Sequence, residues 1–268
     1  MEATTITDQE FGQFQKLLYQ IAGISLSEAK KPLVYGRLAK RLKQHRLDSY
    51  GEYFRLLTNG QKPEELQIAV DLLTTNETYF FREPKHFDFL REKIFPNCKP
   101  GRQFRVWSAA CSSGEEPYSI AMHLANHLGA TPWEVVGSDL STRVLEKART
   151  GHYPMERTKG IPPHYLTEYC LKGTGSQEGT LLIDSKLRCR VNFMHVNLND
   201  PLPRLGEFDV VFLRNVMIYF DLEMKRRVVS RIASLLKPGG HLIIGHSESL
   251  NGVTDQLPSV MPTVYRKP

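Results

Sequence analysis

The sequence is poor in cysteine and has no long apolar run. Its four cysteines, Cys98, Cys111, Cys170 and Cys189, include no Cys-x-x-Cys pair. That spacing argues against zinc or dithiol chemistry and for free thiols in a reducing cytoplasm. The opening residues, Met1 to Thr5, show neither a basic n-region nor an apolar h-region, so no secretory signal is expected. The most apolar stretch, Val210 to Phe220, is interrupted by Arg214 and Asn215 and is far too short to span a bilayer. A soluble, cytoplasmic protein is expected, with no metal centre and no membrane insertion. Acidic residues are missing altogether between Glu28 and Asp48.

What is present is an ordinary globular balance, 41% hydrophobic and 24% charged, over 268 residues. That length suits an α/β domain plus a smaller one. The net charge of +6 is modest, so its location carries more information than its size.

The first 75 residues read as helices. Thr7-Asp8-Gln9-Glu10 has the form of a capping box, followed by Phe11, Phe14, Leu17, Leu18 and Ile21 at helical spacing, with Gly23 as the stop. A second helix is predicted from about Pro32 to Arg46, a third from a capping box at Ser49 to Asn59-Gly60, and a fourth from Pro63 to about Thr74. In the second helix Val34, Leu38 and Leu42 share one side, and Arg37, Lys40, Arg41 and Lys43 the opposite arc. Such an arc is either a solvated face or a docking surface for an acidic partner. The missing acids favour docking.

From about residue 100 strands alternate with helices: Phe104–Trp107, a helix from Pro117, Trp133–Gly137, a helix capped by Ser141, Phe208–Leu213, a helix from Asp221, then a turn at Lys237–Gly240 into His241–Ile244. This is the pattern of a doubly wound, mainly parallel α/β sheet. Residues 151–187 break it and read as an insert with a small antiparallel sheet. Alternation from Leu187 to Phe193 predicts a half-buried strand. The expected division is a helical domain over 1–75, a linker over 76–90, and a catalytic domain over 91–268.

In open α/β sheets ligands bind beyond the carboxyl ends of the strands. After the first strand comes a run of small residues, Ser108 to Ser113. It lets a ligand approach the backbone closely, although it is not Gly-x-Gly-x-x-Gly. Asp139 follows the second strand, where an acid accepts ribose hydroxyls or caps a helix. Asn197-Leu198 and Arg214-Asn215 follow later strands, and Tyr219 comes shortly after. Asn76 to Arg82, polar then aromatic, is richer than a plain linker requires and is suited to closing over a cleft.

Four segments together resemble the CheR family of chemoreceptor glutamate O-methyltransferases: Asn76–Arg82, Ser113–Ser119, Ser138–Leu140 and Arg214–Phe220. The resemblance spans nearly the whole chain in the family's order. It implies a methyltransferase fold with an N-terminal all-α receptor-docking domain and a small antiparallel β insert. S-adenosylmethionine is the implied methyl donor and S-adenosylhomocysteine the product. Cofactor contacts of the family match Asn76, Thr78, Arg82, Glu116, Asp139, Asn197, Leu198, Arg214 and Asn215. Arg82 and Tyr219 match positions near the reacting methyl. The implied partners are chemoreceptor cytoplasmic domains, generally acidic around their methylation sites, and the basic arc of Arg37, Lys40, Arg41 and Lys43 is expected to steer or dock them. A receptor's C-terminal tethering peptide at the β insert would dock by β-augmentation. Cys111 and Ser112 stand where the family varies among small residues.

An acceptor carboxylate, with a reference pKa of about 4.3, is already ionised at neutral pH and needs no strong base. That agrees with a strand-end set lacking a His–Asp dyad. A nucleic-acid methyltransferase is the first rival, disfavoured because no Asn/Asp-Pro-Pro-Tyr follows Leu213. A non-catalytic cofactor-binding module is the second, disfavoured by Arg82 and Tyr219. No nucleic-acid partner is expected, and the chain is expected to be a monomer.

Overall fold

The computed structural model describes residues 5–99 and 101–268. Two compact units emerge. One runs to Thr75 and takes in Tyr219–Met224; the other holds Asn76–Ile218 and Lys225–Pro268.

The smaller unit is built on α1 (Asp8–Ala22), α2 (Lys31–His45), α3 (Tyr50–Thr58) and α4 (Pro63–Leu73). The Thr7 hydroxyl accepts the Glu10 N–H at 3.2 Å, and the Glu10 carboxylate accepts the Thr7 N–H at 2.9 Å, so two orphan donors of α1 are satisfied reciprocally. Gly23, at φ 67°, ends α1. A Cβ there would lie 2.6 Å from the Met224 side chain. The second expected capping box is half formed. Ser49 accepts from Glu52 N–H at 3.1 Å, but the Glu52 carboxylate accepts from Asp48 rather than Ser49. Val34, Leu38 and Leu42 are buried as their helical spacing requires. Phe14 packs edge-on to Tyr50 and Phe54 and stacks on Tyr53.

The larger unit opens with α5 (Lys85–Phe89), β1 (Phe104–Ser108), α6 (Glu115–His127), β2 (Trp133–Asp139) and α7 (Thr142–Thr150). An insert follows: β3 (His152–Pro154), α8 (Pro163–Tyr169), β4 (Cys170–Lys172), β5 (Thr180–Ile183) and α9 (Ser185–Arg188). The chain closes with β6 (Val191–His195), β7 (Phe208–Leu213), α10 (Leu222–Ser234), β8 (Leu236–Ile244), β9 (Ser259–Met261) and β10 (Val264–Arg266). The main sheet runs β6-β2-β1-β7-β8-β10-β9. The first five strands are parallel, while β10 and β9 are antiparallel additions. The insert forms a separate antiparallel sheet, β3-β5-β4. The order reverses after β1, which places a crevice at the carboxyl ends of β1, β2 and β7.

Three local expectations are corrected. The segment from Leu187 is not yet strand: Asp184 accepts the Lys186 N–H at 2.7 Å and turns α9, so β6 starts at Val191. Lys237–Gly240 is no separate turn but part of β8, whose pairing with β7 shifts register between Phe208 and Val210. Helix α6 starts at Glu115, with Gly114 at φ 94° as its cap. Pro117 fits within the first turn, where its missing N–H has no helical partner to lose. No helix among the described residues is long and apolar enough to cross a membrane.

Candidate active site

The small-residue turn after β1 is tied to the end of β2. Ser112, at φ 49°, donates its backbone N–H to Asp139 Oδ2 at 2.8 Å. Ser141 N–H reaches Oδ1 of the same carboxylate at 2.9 Å. The cap position of α7 falls on Ser141, so Asp139 is held by the two loops instead of capping the helix. The residue is 8% exposed, its side chain fixed by these two bonds. Gly114 is obligatory here: a Cβ would come within 3.0 Å of Ala148 and the Tyr153 hydroxyl.

Arg214, at the end of β7, is the electrostatic centre. Its side chain is 1% exposed and pairs with Glu116 at 2.8 Å and Glu83 at 3.0 Å. A third contact runs to the Arg82 carbonyl at 2.5 Å. Glu116 also accepts the Ser108 hydroxyl at 2.7 Å, so it bridges the ends of β1 and β7. Burial pushes the Glu83 carboxyl up, but Arg214 and the His246 N–H outweigh this and hold it below the usual carboxylate range. Asn215, at φ 58°, donates its side-chain amide to Glu83 at 3.3 Å.

The Asn76–Arg82 segment divides its labour. Phe80 packs edge-on to Tyr153 at 5.0 Å, and Phe81 against Phe87 and Tyr165. These two rings anchor the segment in the core. Tyr79 stays 49% exposed, with the Arg82 guanidinium 5.5 Å from its ring. Arg82 donates to the Glu77 carbonyl at 3.1 Å. The Asn76 carbonyl accepts from Ser112 Oγ at 2.9 Å, and the Thr78 carbonyl from Arg157 at 3.0 Å. Asn76, Arg82, Glu116, Asp139, Arg214 and Asn215 are thus joined through hydrogen bonds to the turns at the ends of β1, β2 and β7, while Thr78 is held by Arg157 of the insert.

The remaining candidates stand differently. Asn197 holds its own turn, donating to Asp200 at 3.0 Å and accepting from Asn199 N–H at 3.0 Å, with Leu198 buried beside it. Tyr219 belongs to the helical unit, where its carbonyl accepts the Ser25 N–H at 2.8 Å. The four cations of α2 are not equivalent. Arg37 donates to the carbonyls of Leu73 and Thr74 at 3.1 and 2.8 Å. Arg41 is paired with buried Glu65, which also accepts from Tyr53. Lys40 and Lys43 are exposed.

Glu83 and Glu248 do not stand out in the sequence. Glu248 accepts the backbone N–H groups of Asn215 at 2.8 Å, Gly245 at 2.7 Å and Ile218 at 3.3 Å. The rule that pointed to Arg214 also applies to residues just past β8, so Glu248 was within its reach. Glu83 left no such signal. Glu83, His86 and His246 have ligand atoms within 4.8 Å of one another. The carboxylate is already taken up by Arg214, Asn215 and the His246 N–H, so the cluster reads as part of the arginine network.

A family model described as the CheR methyltransferase SAM-binding domain matches residues 76–266. The larger unit is therefore that of a methyltransferase using S-adenosylmethionine. A second model, the CheR methyltransferase all-alpha domain, matches residues 9–74. The "Chemotaxis protein methyltransferase" of Escherichia coli is 42% identical over 98% of this chain and 92% of its own length. The "Chemotaxis protein methyltransferase 2" of Pseudomonas aeruginosa is 43% identical over 97% and 93%. That of Borreliella burgdorferi is 37% identical over 98% and 95%. The chain belongs to the CheR methyltransferase family.

Proposed function

We propose that the chain esterifies glutamate side chains of bacterial chemoreceptors, working as a cytoplasmic monomer in chemotaxis adaptation. The observation that carries this reading is the similarity to chemotaxis protein methyltransferases over both units. The site fits the cofactor: Ser108–Ser113 presents little side-chain bulk, and Asp139 is braced to accept ribose hydroxyls. Asn76, Thr78, Arg82, Glu116, Arg214, Asn215, Asn197 and Leu198 complete the proposed cradle. S-adenosylmethionine, when bound, supplies a methyl on a positively charged sulfur, and a dry site favours cancelling that charge against an ionised carboxylate.

The residues' work is positioning, which makes the reaction effectively unimolecular. Arg82 and Tyr219 are assigned to orienting donor and acceptor. Too tight a grip by Arg82 would stabilise the ground state more than the transition state; its bond to the Glu77 carbonyl occupies part of its donor capacity. Arg37, Lys40, Arg41 and Lys43 are assigned to the docking face. Lys40 and Lys43 fit that role best, because they are exposed. A receptor tethering peptide would add to an edge of the insert sheet, at β3 or β4.

The test mixes the protein with methyl-labelled cofactor and receptor cytoplasmic fragments. Label released as methanol in mild base indicates a carboxyl ester. Base-stable label would point to N- or C-methylation and reject the reading.

A further inference from the structure

A cavity of about 690 Å³ lies in the larger unit at the other end of the sheet. Phe104 and Asp209, at the starts of β1 and β7, line it. The length of β1, roughly 13 Å at 3.3 Å per residue, separates it from Ser108 and the proposed cofactor cradle.

The lining divides by character. Lys93, Lys99, Arg102, Lys237 and Arg266 face one carboxylate, Asp209. Lys237 and Asp209 neutralise each other at 2.5 Å. The side chains of Lys93, Lys99, Arg102 and Arg266 make no hydrogen bond or ion pair among the described residues. The wall also carries apolar side chains: Phe89, Ile94, Val260 and Met261. Val260 is 48% exposed, and Phe89 stands edge-on to His241 at 5.6 Å.

Like charges gathered in a cleft focus a field that attracts anions. Apolar surface beside them gains from being covered. The volume falls within the range of small-molecule sites. A ligand that carries several phosphates and a flat ring matches both kinds of side chain.

We propose that this cavity binds a nucleoside polyphosphate, with its phosphates on Lys93, Lys99, Arg102 and Arg266 and its base against Phe89 and Met261. The site is distinct from the cofactor cradle and does not rest on the methyl-transfer reading. Both ligands bind at once.

The test titrates fluorescent mant-GTP into the full chain at about 0.1 M salt, with S-adenosylhomocysteine saturating the cofactor site. Saturable binding is expected, competed by unlabelled GTP at least about tenfold better than by inorganic triphosphate. The double variant Lys93→Glu/Arg102→Glu weakens it at least about tenfold, because charge-assisted contacts become repulsive. Both side chains are exposed, so S-adenosylhomocysteine affinity stays unchanged. Absence of saturable binding, displacement by S-adenosylhomocysteine, equal competition by triphosphate, or an unaffected double variant would each overturn the proposal.

Discussion

The Glu248 carboxylate accepts the Asn215 backbone N–H at 2.8 Å, tying the loop after β8 to the left-handed turn after β7. The same carboxylate also takes the N–H groups of Gly245 and Ile218. Burial raises its pKa even against these bonds. A Cβ at Gly245 would lie 2.5 Å from the Asn215 amide and 2.8 Å from Glu248, so the two loops close tightly. Glu248→Ala would orphan several N–H groups, at about 1–3 kcal/mol each. Cofactor affinity is expected to fall roughly 10- to 100-fold by calorimetry, with Glu248→Gln intermediate. Unchanged affinity in Glu248→Ala would mean that the turn holds itself.

Periodicity made most of this fold legible, because long helices and continuous apolar strands leave unmistakable spacing. Phe208–Leu213 is strand β7 as expected, and Val34, Leu38 and Leu42 are the buried stripe of α2. The structure departs from that spacing where a tertiary or side-chain contact overrides a local signal. Asp184 turns a short helix out of residues that alternate like a strand. The antiparallel pair β9 and β10 is three residues per strand, too short for any period to register. Within the candidate site, residues that end a strand were visible, whereas Glu83 was not. Its importance comes from pairing with Arg214, 131 positions away, and no local pattern encodes that.

Tyr219 sits in a short helical turn, Met217–Tyr219, whose last carbonyl is bound by Ser25 N–H at 2.8 Å. Its backbone is therefore held whatever its side chain does. Tyr219→Phe removes one hydroxyl and keeps the ring. Turnover on a receptor fragment should fall roughly 10- to 100-fold, less than the loss of a dedicated charge-stabilising donor. Cofactor affinity should be unchanged. If affinity collapses instead, Tyr219 is a binding residue and the orienting role is wrong.

The cations proposed for docking separate by what each already holds. Arg41 is committed to Glu65, whose carboxyl is pushed up by burial yet brought to about 2 by hydrogen bonds from Arg41, Tyr53 and His45. Reversing Arg41 would take the guanidinium from buried Glu65 and set a second carboxylate beside it, at a cost of about 3–5 kcal/mol, and would confuse docking with unfolding. Lys40→Glu/Lys43→Glu avoids this. Receptor methylation should weaken several-fold at low salt and lose part of its salt dependence, with cofactor affinity intact. Undiminished methylation at low salt would remove α2 from the docking surface.

His86 and His123 are buried in the larger unit, and both stay neutral near neutral pH. Burial, then the nearby Arg214, lowers His86 to about 3; burial, then His127, lowers His123 to about 4. An unfolded chain takes up these protons near pH 6.5, whereas the folded chain resists until pH 3–4. The unfolded state therefore binds more protons across that window, so stability is complete above about pH 6.5 and falls as pH drops. Between pH 7 and pH 5 the loss is on the order of 2 kcal/mol per histidine, read from urea unfolding midpoints. His86→Gln keeps a polar group facing Thr263, its partner at 2.8 Å, but cannot titrate. That variant should start less stable at pH 7 and lose less on acidification. A pH slope equal to that of the unsubstituted protein would show that His86 takes up its proton without unfolding.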